Sequence, residues 1–304
     1  MVPNFRIVCE TIYRITCNAT PFAPPKSWLK SYTISPTVSD HRVAHAIPPT
    51  QRGRAHVTQA AGRDVEYQHE GTRMLGLVVA PQGEAAGRFA AVAVLLIHDA
   101  FGLSEEMIGT ATRLAEAGHP VFLADVWGER ATPSSVTEIG PLIGGMAQDR
   151  NRWLGRVAAA HAALDAQPEF AGRPLALLGY CFGGSSALEY LRTGAHVAGV
   201  AAVHPGLDLL DQDWSTPGSG AVLLAIGADD PMATPDMRHR LEEHLSSAGL
   251  DHQFHLYSGT THAFTSPKAA DSPQPEVFAH NARSAARAWV ATTGFFAELS
   301  APAF

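Results

Sequence analysis

The segment Gly179-Tyr180-Cys181-Phe182-Gly183-Gly184 follows directly on the apolar run Pro174-Leu175-Ala176-Leu177-Leu178. An apolar strand, a sharp glycine-flanked turn and a helix opening on small residues (Ser185, Ser186, Ala187) make the pattern of a nucleophile elbow. Such a turn pushes its apex side chain out of the sheet and needs neighbours without bulk. Here the apex is a thiol where a hydroxyl is common. The bland alternative makes Cys181 one more buried small residue, since free cysteine is among the most buried types. Glycines at minus two, plus two and plus three argue against that alternative.

A thiol attacks as its thiolate, so the site must supply a base. Two loops after apolar runs carry suitable groups, Gly227-Ala228-Asp229-Asp230-Pro231 and Gly259-Thr260-Thr261-His262-Ala263-Phe264. With 15 histidines in the chain, a histidine in any one loop is weak evidence. His262 stands out by following the last strand, with a glycine at minus three. His239, His244, His252 and His255 read as residues of solvated faces. Asp229 is favoured over Asp230 as the acid, being the first residue past Gly-Ala, whereas Asp230 precedes a proline. The order nucleophile, acid, histidine is that of the α/β-hydrolases. The loop His98-Asp99-Ala100-Phe101-Gly102 then falls where such enzymes place an oxyanion-hole donor. The N–H groups of Ala100 and Phe182 are the expected pair. Asp99 is equally readable as a carboxylate that braces its own loop. No histidine pair sits beside carboxylates in a convincing zinc spacing, so no metal site is expected.

The elements that must position these groups alternate. Val65–Gln68 and Met74–Val79 read as a hairpin around His69-Glu70-Gly71-Thr72. Ala90–Ile97, Pro120–Leu123, Leu175–Leu178, Val197–Val203, Ala221–Ile226 and Phe254–Tyr257 read as strands. Helices are expected from Ser104 to Gly118, over Arg152–Leu164 and Phe182–Leu191, around Met237, Leu241 and Leu245, and over Val277–Val290. Uninterrupted apolar strands alternating with helices predict a mainly parallel sheet covered on both faces, an α/β fold. Chemistry in such sheets gathers at the carboxyl ends of the strands.

Of 304 residues, 46% are apolar and 17% charged, which suits one large core. No run of 18 uncharged apolar residues occurs, so no membrane span is expected. Cysteines at 9, 17 and 181 form no disulfide framework, which fits a reducing, cytoplasmic setting. Residues 1–63 carry net charge +6, contain scattered prolines and show no periodicity. They read as a largely disordered extension or a misassigned start, with the folded domain at 64–304. That domain carries −13, which argues against a nucleic-acid surface and for small-molecule partners.

Taken together, the elbow, the loop Asp99-Ala100-Phe101-Gly102-Leu103, the Gly-Ala-Asp229 turn and Thr261-His262-Ala263-Phe264 resemble the dienelactone hydrolase family over about residues 65–295. The resemblance implies an α/β-hydrolase with a Cys181–His262–Asp229 triad that cleaves a lactone or ester without a cofactor, as a monomer or homodimer. It also implies that Asp99, Phe101, Tyr180 and Phe264 modulate the thiol or contact substrate. Two positions depart from the family pattern. Asp99 stands where a longer glutamate is found. Ser266 stands where an arginine binds the substrate's carboxylate, a fork that serine cannot replace. Arg150, Arg152 and Lys268 are the candidates to take over that role. Other readings are a carboxylesterase or lactonase for neutral esters, and a non-catalytic fold that only binds a small ligand.

Overall fold

The computed structural model describes residues 62–83, 85 and 92–301. The extension expected over residues 1–63 therefore lies almost wholly outside the described residues. Among the described residues, eight strands form one sheet. In chain order they are β1 (Arg63–His69), β2 (Thr72–Val79), β3 (Ala93–Ile97), β4 (Val121–Ala124), β5 (Leu175–Tyr180), β6 (His196–Val203), β7 (Ser219–Gly227) and β8 (His252–Tyr257). Their spatial order is β1-β2-β4-β3-β5-β6-β7-β8. The hairpin β1–β2 and the β2–β4 pair are antiparallel. Every later pair is parallel. Glu70 and Gly71 both take positive φ (47° and 75°), as a two-residue hairpin turn requires.

Alternate residues along the central strands feed two cores. Val94, Leu96 and Leu178 face one layer, built on α1 (Glu105–Glu116) and α6 (Ala282–Ser300). Ala93, Leu95, Ile97 and Leu177 face the other, built on α2 (Val136–Gln148), α3 (Arg150–Asp165), α4 (Phe182–Arg192) and α5 (Pro235–Ser247). Both faces of the central sheet are thus covered, which explains why β3 to β7 show no polar alternation, unlike the edge strand β1. Among the described residues, no helix is long and apolar enough to cross a membrane.

Two helical elements differ from the sequence-based expectation. Helix α2 is unexpected because Pro141, Gly144 and Gly145 all oppose helix formation. Its start is fixed by Ser135, whose hydroxyl accepts from Glu138 N–H, while the Glu138 carboxylate accepts from Ser134 N–H at 2.7 Å. The last helix begins at Ala282 rather than Val277, with Asn281 capping Ser284 N–H at 3.1 Å. Residues 277–279 instead pair with His262. Its N–H donates to Val277 O at 2.9 Å, and Ala279 N–H donates to His262 O at 3.3 Å.

The crossing of α4 over the end of β3 is a close approach beside the elbow. A Cβ at Gly183 would lie 2.1 Å from Ile97 O and 2.5 Å from His98 O. Backbone atoms cannot give way as a side-chain tip can. Gly183→Ala is expected to destabilise the fold by about 3 kcal/mol, the upper part of the overpacking range. A lower urea midpoint at unchanged m would show it.

Candidate active site

At the carboxyl end of β5 the chain turns into α4 through Cys181, whose φ is 52° and ψ −118°. This backbone region is sparsely populated for an L-residue and costs about 1–3 kcal/mol. Surrounding contacts hold it. Cys181 N–H donates to Val203 O at 3.0 Å, and Cys181 O accepts from Ser185 N–H at 3.1 Å. Ser185 Oγ in turn donates to Gly206 O at 2.9 Å. Gly179 leaves room for the turn, since a Cβ there would lie 2.0 Å from Gly183 O. The thiol is half-buried and free of any disulfide.

His262 faces this thiol from the loop after β8. Its Nδ1–H donates to Asp230 Oδ2 at 2.8 Å, and both side chains are fully buried. Asp230, rather than the expected Asp229, is therefore the histidine's acid partner. The turn explains why. Asp230 N–H donates to Gly227 O at 3.2 Å, and this closes a turn that sends Asp229 outward to solvent and brings Asp230 back inward. The other Asp230 oxygen accepts from Met232 N–H at 2.8 Å. Aspartate commonly bonds the backbone two residues on in this way, and an intervening proline does not obstruct it.

His262 Nε2 is buried without a regular hydrogen bond. Cys181 is nonetheless near enough to act on it. Burial pushes the imidazole's pKa down, but the charges of Asp230 and then Cys181 outweigh burial and hold it well above the ordinary histidine value. The sulfur is close enough to raise the imidazole although Nε2 has no regular hydrogen bond to it, as is common before a substrate tightens a site.

The loop after β3 is fixed from below. His98 Nε2 accepts from Val126 N–H at 3.1 Å, so its proton sits on Nδ1, which donates to Asp99 O at 2.6 Å. Trp127 Nε1–H donates to Ala100 O at 3.2 Å. The Trp127 ring stacks on Phe182 at 4.5 Å, and Trp153 stacks on Phe182 at 5.2 Å. One aromatic column therefore positions both residues expected to offer oxyanion donors. Phe182 is the first residue of α4, where an N–H has no acceptor within its own helix. The Asp99 carboxylate accepts from Phe101 N–H at 2.8 Å, the loop-bracing arrangement. Burial pushes its pKa up to about 7, against that hydrogen bond, with Glu106 adding to the rise and Lys268 opposing it.

Other expected residues fall differently. Tyr180 is buried with its ring against His204. Phe264 is completely buried against His204 and Tyr257, so it packs beneath the His262 loop and has no surface for a substrate. Arg150 is committed to Glu189 and Leu209 O, and Arg152 to Gly145 O. Neither is available to replace an arginine at Ser266. Lys268 Nζ lies 5.8 Å from the Phe101 ring.

Sequence reading missed His204 and Asp208. His204, at φ 38° after β6, bonds Thr265 Oγ1 through Nε2 at 2.8 Å, and its ring lies 5.2 Å from that of His262. Burial, then the charge of His262, holds its pKa well below the ordinary value, so it is neutral. Burial lifts Asp208 to about 6, with His262 opposing and Asp230 adding. The clue was position: both follow a parallel strand at its carboxyl end. Among the described residues, no group of His, Cys, Asp and Glu is placed to hold a metal ion.

Asp230→Asn is expected to lower kcat roughly 10²–10⁴-fold, whereas Asp229→Asn should stay within about twofold. Steady-state kinetics on one ester distinguishes them. A second expectation concerns pH. The Asp99 carboxyl ionises near 7 in the fold and near 4 unfolded, so between these values the native state holds a proton that the unfolded chain has lost. Stability is thereby lost as pH rises through that window. Asp99→Asn should raise the melting temperature at pH 8, and the gain should shrink at pH 5.

The model of the dienelactone hydrolase family matches residues 76–300. A solved dienelactone hydrolase-like promiscuous phosphotriesterase from metagenomic libraries is 30% identical, with TM-score 0.70, covering 79% of this chain and 98% of that one. A solved structure named m3DLH is 27% identical, with TM-score 0.68, covering 79% of this chain and 98% of that one. An Aquifex aeolicus (strain VF5) protein assigned as a carboxymethylenebutenolidase is 22% identical, over 77% of this chain and 97% of its own length. With an eight-stranded sheet, an elbow at Cys181 and a match over three-quarters of its length, the chain belongs to the dienelactone hydrolase family and is a hydrolase of ester bonds.

Proposed function

We propose that this protein hydrolyses a lactone or carboxylic ester through Cys181 as nucleophile, His262 as base and acid, and Asp230 as the carboxylate that orients the imidazole. The observation that carries the reading is the buried Asp230–His262 pair at 2.8 Å, with the half-buried Cys181 thiol next to the imidazole. Asp230 fixes the proton on Nδ1 and leaves Nε2 to face the sulfur. His262 takes the thiol proton, and the thiolate attacks the carbonyl carbon. The oxyanion is met by the N–H groups of Ala100 and Phe182. The C–O bond breaks as the alkoxide takes the proton from Nε2, leaving a thioester on Cys181. Water then attacks the thioester and gives its proton to His262, and the thiolate departs as the acid is released.

The Asp230–His262 pair supports general-base chemistry whichever ester is bound. A neutral ester is the second reading, favoured by Ser266, where a hydroxyl and no cation stands four residues after His262. The similarity to a promiscuous phosphotriesterase places neutral phosphotriesters in the same panel of test compounds.

Cys181→Ala should abolish turnover of p-nitrophenyl acetate while moving the melting temperature little. Rapid quenching of the wild type should yield an acyl adduct, located by peptide mass spectrometry on Cys181. Persisting turnover in the alanine variant would sink the proposal.

A further inference from the structure

We infer that Glu106 makes the cleft beside Cys181 select against carboxylate-bearing substrates, so that neutral and cationic esters are the class it takes. This rests on the ester-hydrolase reading above. Glu106 is the second residue of α1, half-buried, and Ser266 Oγ donates to its Oε2 at 2.8 Å. That bond joins the helix after the oxyanion loop to the loop carrying His262. The carboxylate also raises the pKa of Asp99, beside Ala100, and of Tyr180, beside Cys181. Its field therefore reaches all three loops that surround the thiol.

The cations nearby are engaged elsewhere or screened by solvent. The Asp230 charge is matched by His262. Arg113, whose opposing pull on Tyr180 is the larger of the two, is exposed to solvent and lies over Trp289 at 3.7 Å, and Arg150 is paired with Glu189. Lys268 is the cation beside Phe101, but it is exposed at the end of a flexible stem, where solvent screens it. A substrate carboxylate entering between Phe101 and Ser266 would meet a half-buried negative charge held by a hydrogen bond. Glu106 could instead serve only to complement the N-terminus of α1. Glu105, exposed in the same turn, fills that role without entering the cleft.

The test compares mono-p-nitrophenyl glutarate with its neutral methyl ester, which differ in one charge and little in shape. In the wild type, kcat/KM should favour the neutral ester. Raising the ionic strength from low to about 0.5 M should narrow the difference, because screening acts on the charge alone. Glu106→Gln should raise the ratio of anionic to neutral kcat/KM roughly tenfold, the size expected of one charge at several ångströms near a surface. Ser266→Ala, which removes the hydrogen bond but keeps the charge, should leave that ratio near the wild-type value. An equal loss on both esters in Glu106→Gln would make Glu106 a structural strap and overturn the inference. A wild-type ratio indifferent to salt would also overturn it, even if the Gln variant failed to fold. The ratio does not depend on which residue is the nucleophile. Turnover persisting in Cys181→Ala would sink the mechanism while leaving the charge selectivity measurable.

Discussion

Everything at the site depends on how closely α4 can approach the end of β3. Gly183 passes within a Cβ's width of the Ile97 and His98 carbonyls, so the first turn of α4 sits against the loop that carries Ala100. The same approach forces the backbone at Cys181 into an unfavourable region and turns the sulfur out of the sheet. Strain of this kind persists only where the surroundings over-determine it. Here they do so through the bond to Val203 and the column Trp127–Phe182–Trp153. Packing energy spread through two cores is thus concentrated on the position of one side chain.

The partner groups reach that side chain by a different route. His262 and Asp230 come from loops after neighbouring parallel strands, β8 and β7, so their separation is set by strand spacing. Burying a carboxylate and an imidazole costs free energy that their mutual attraction must offset. The pair is therefore held by additional backbone bonds at Met232 and Val277. Burial alone would leave the imidazole neutral. The adjacent charges reverse that and favour the protonated ring beside the sulfur. His204, equally buried but lacking a carboxylate, stays neutral at 5.2 Å. The contrast between these two histidines comes from the charges that face His262, Asp230 first and then Cys181.

Much of this was legible along the chain because the signals are local. Glycines around Cys181 report a turn that admits no Cβ. Unbroken apolar runs report strands covered on both faces. Where the chain compensates for weak local propensity, the signal fades. Helix α2 forms despite Pro141 and two glycines because its capping bonds and the buried side chain of Met146 outweigh them. Residues 277–281 look helical, but their backbone is taken by His262 and by the Asn281 cap, partners 15 or more residues away or hidden in cap geometry.

The sequence by itself determined the fold class, the elbow at Cys181 and the place of His262 after the last strand, because each is marked by residues within a few positions of one another. Only the tertiary structure decided between Asp229 and Asp230, since adjacent residues in a turn point in opposite directions and composition does not record which one faces inward. It likewise buried Phe264, committed Arg150 and Arg152 elsewhere, and brought Glu106 to Ser266 across 160 residues. Those outcomes depend on distances between elements, which the order of residues along the chain does not specify.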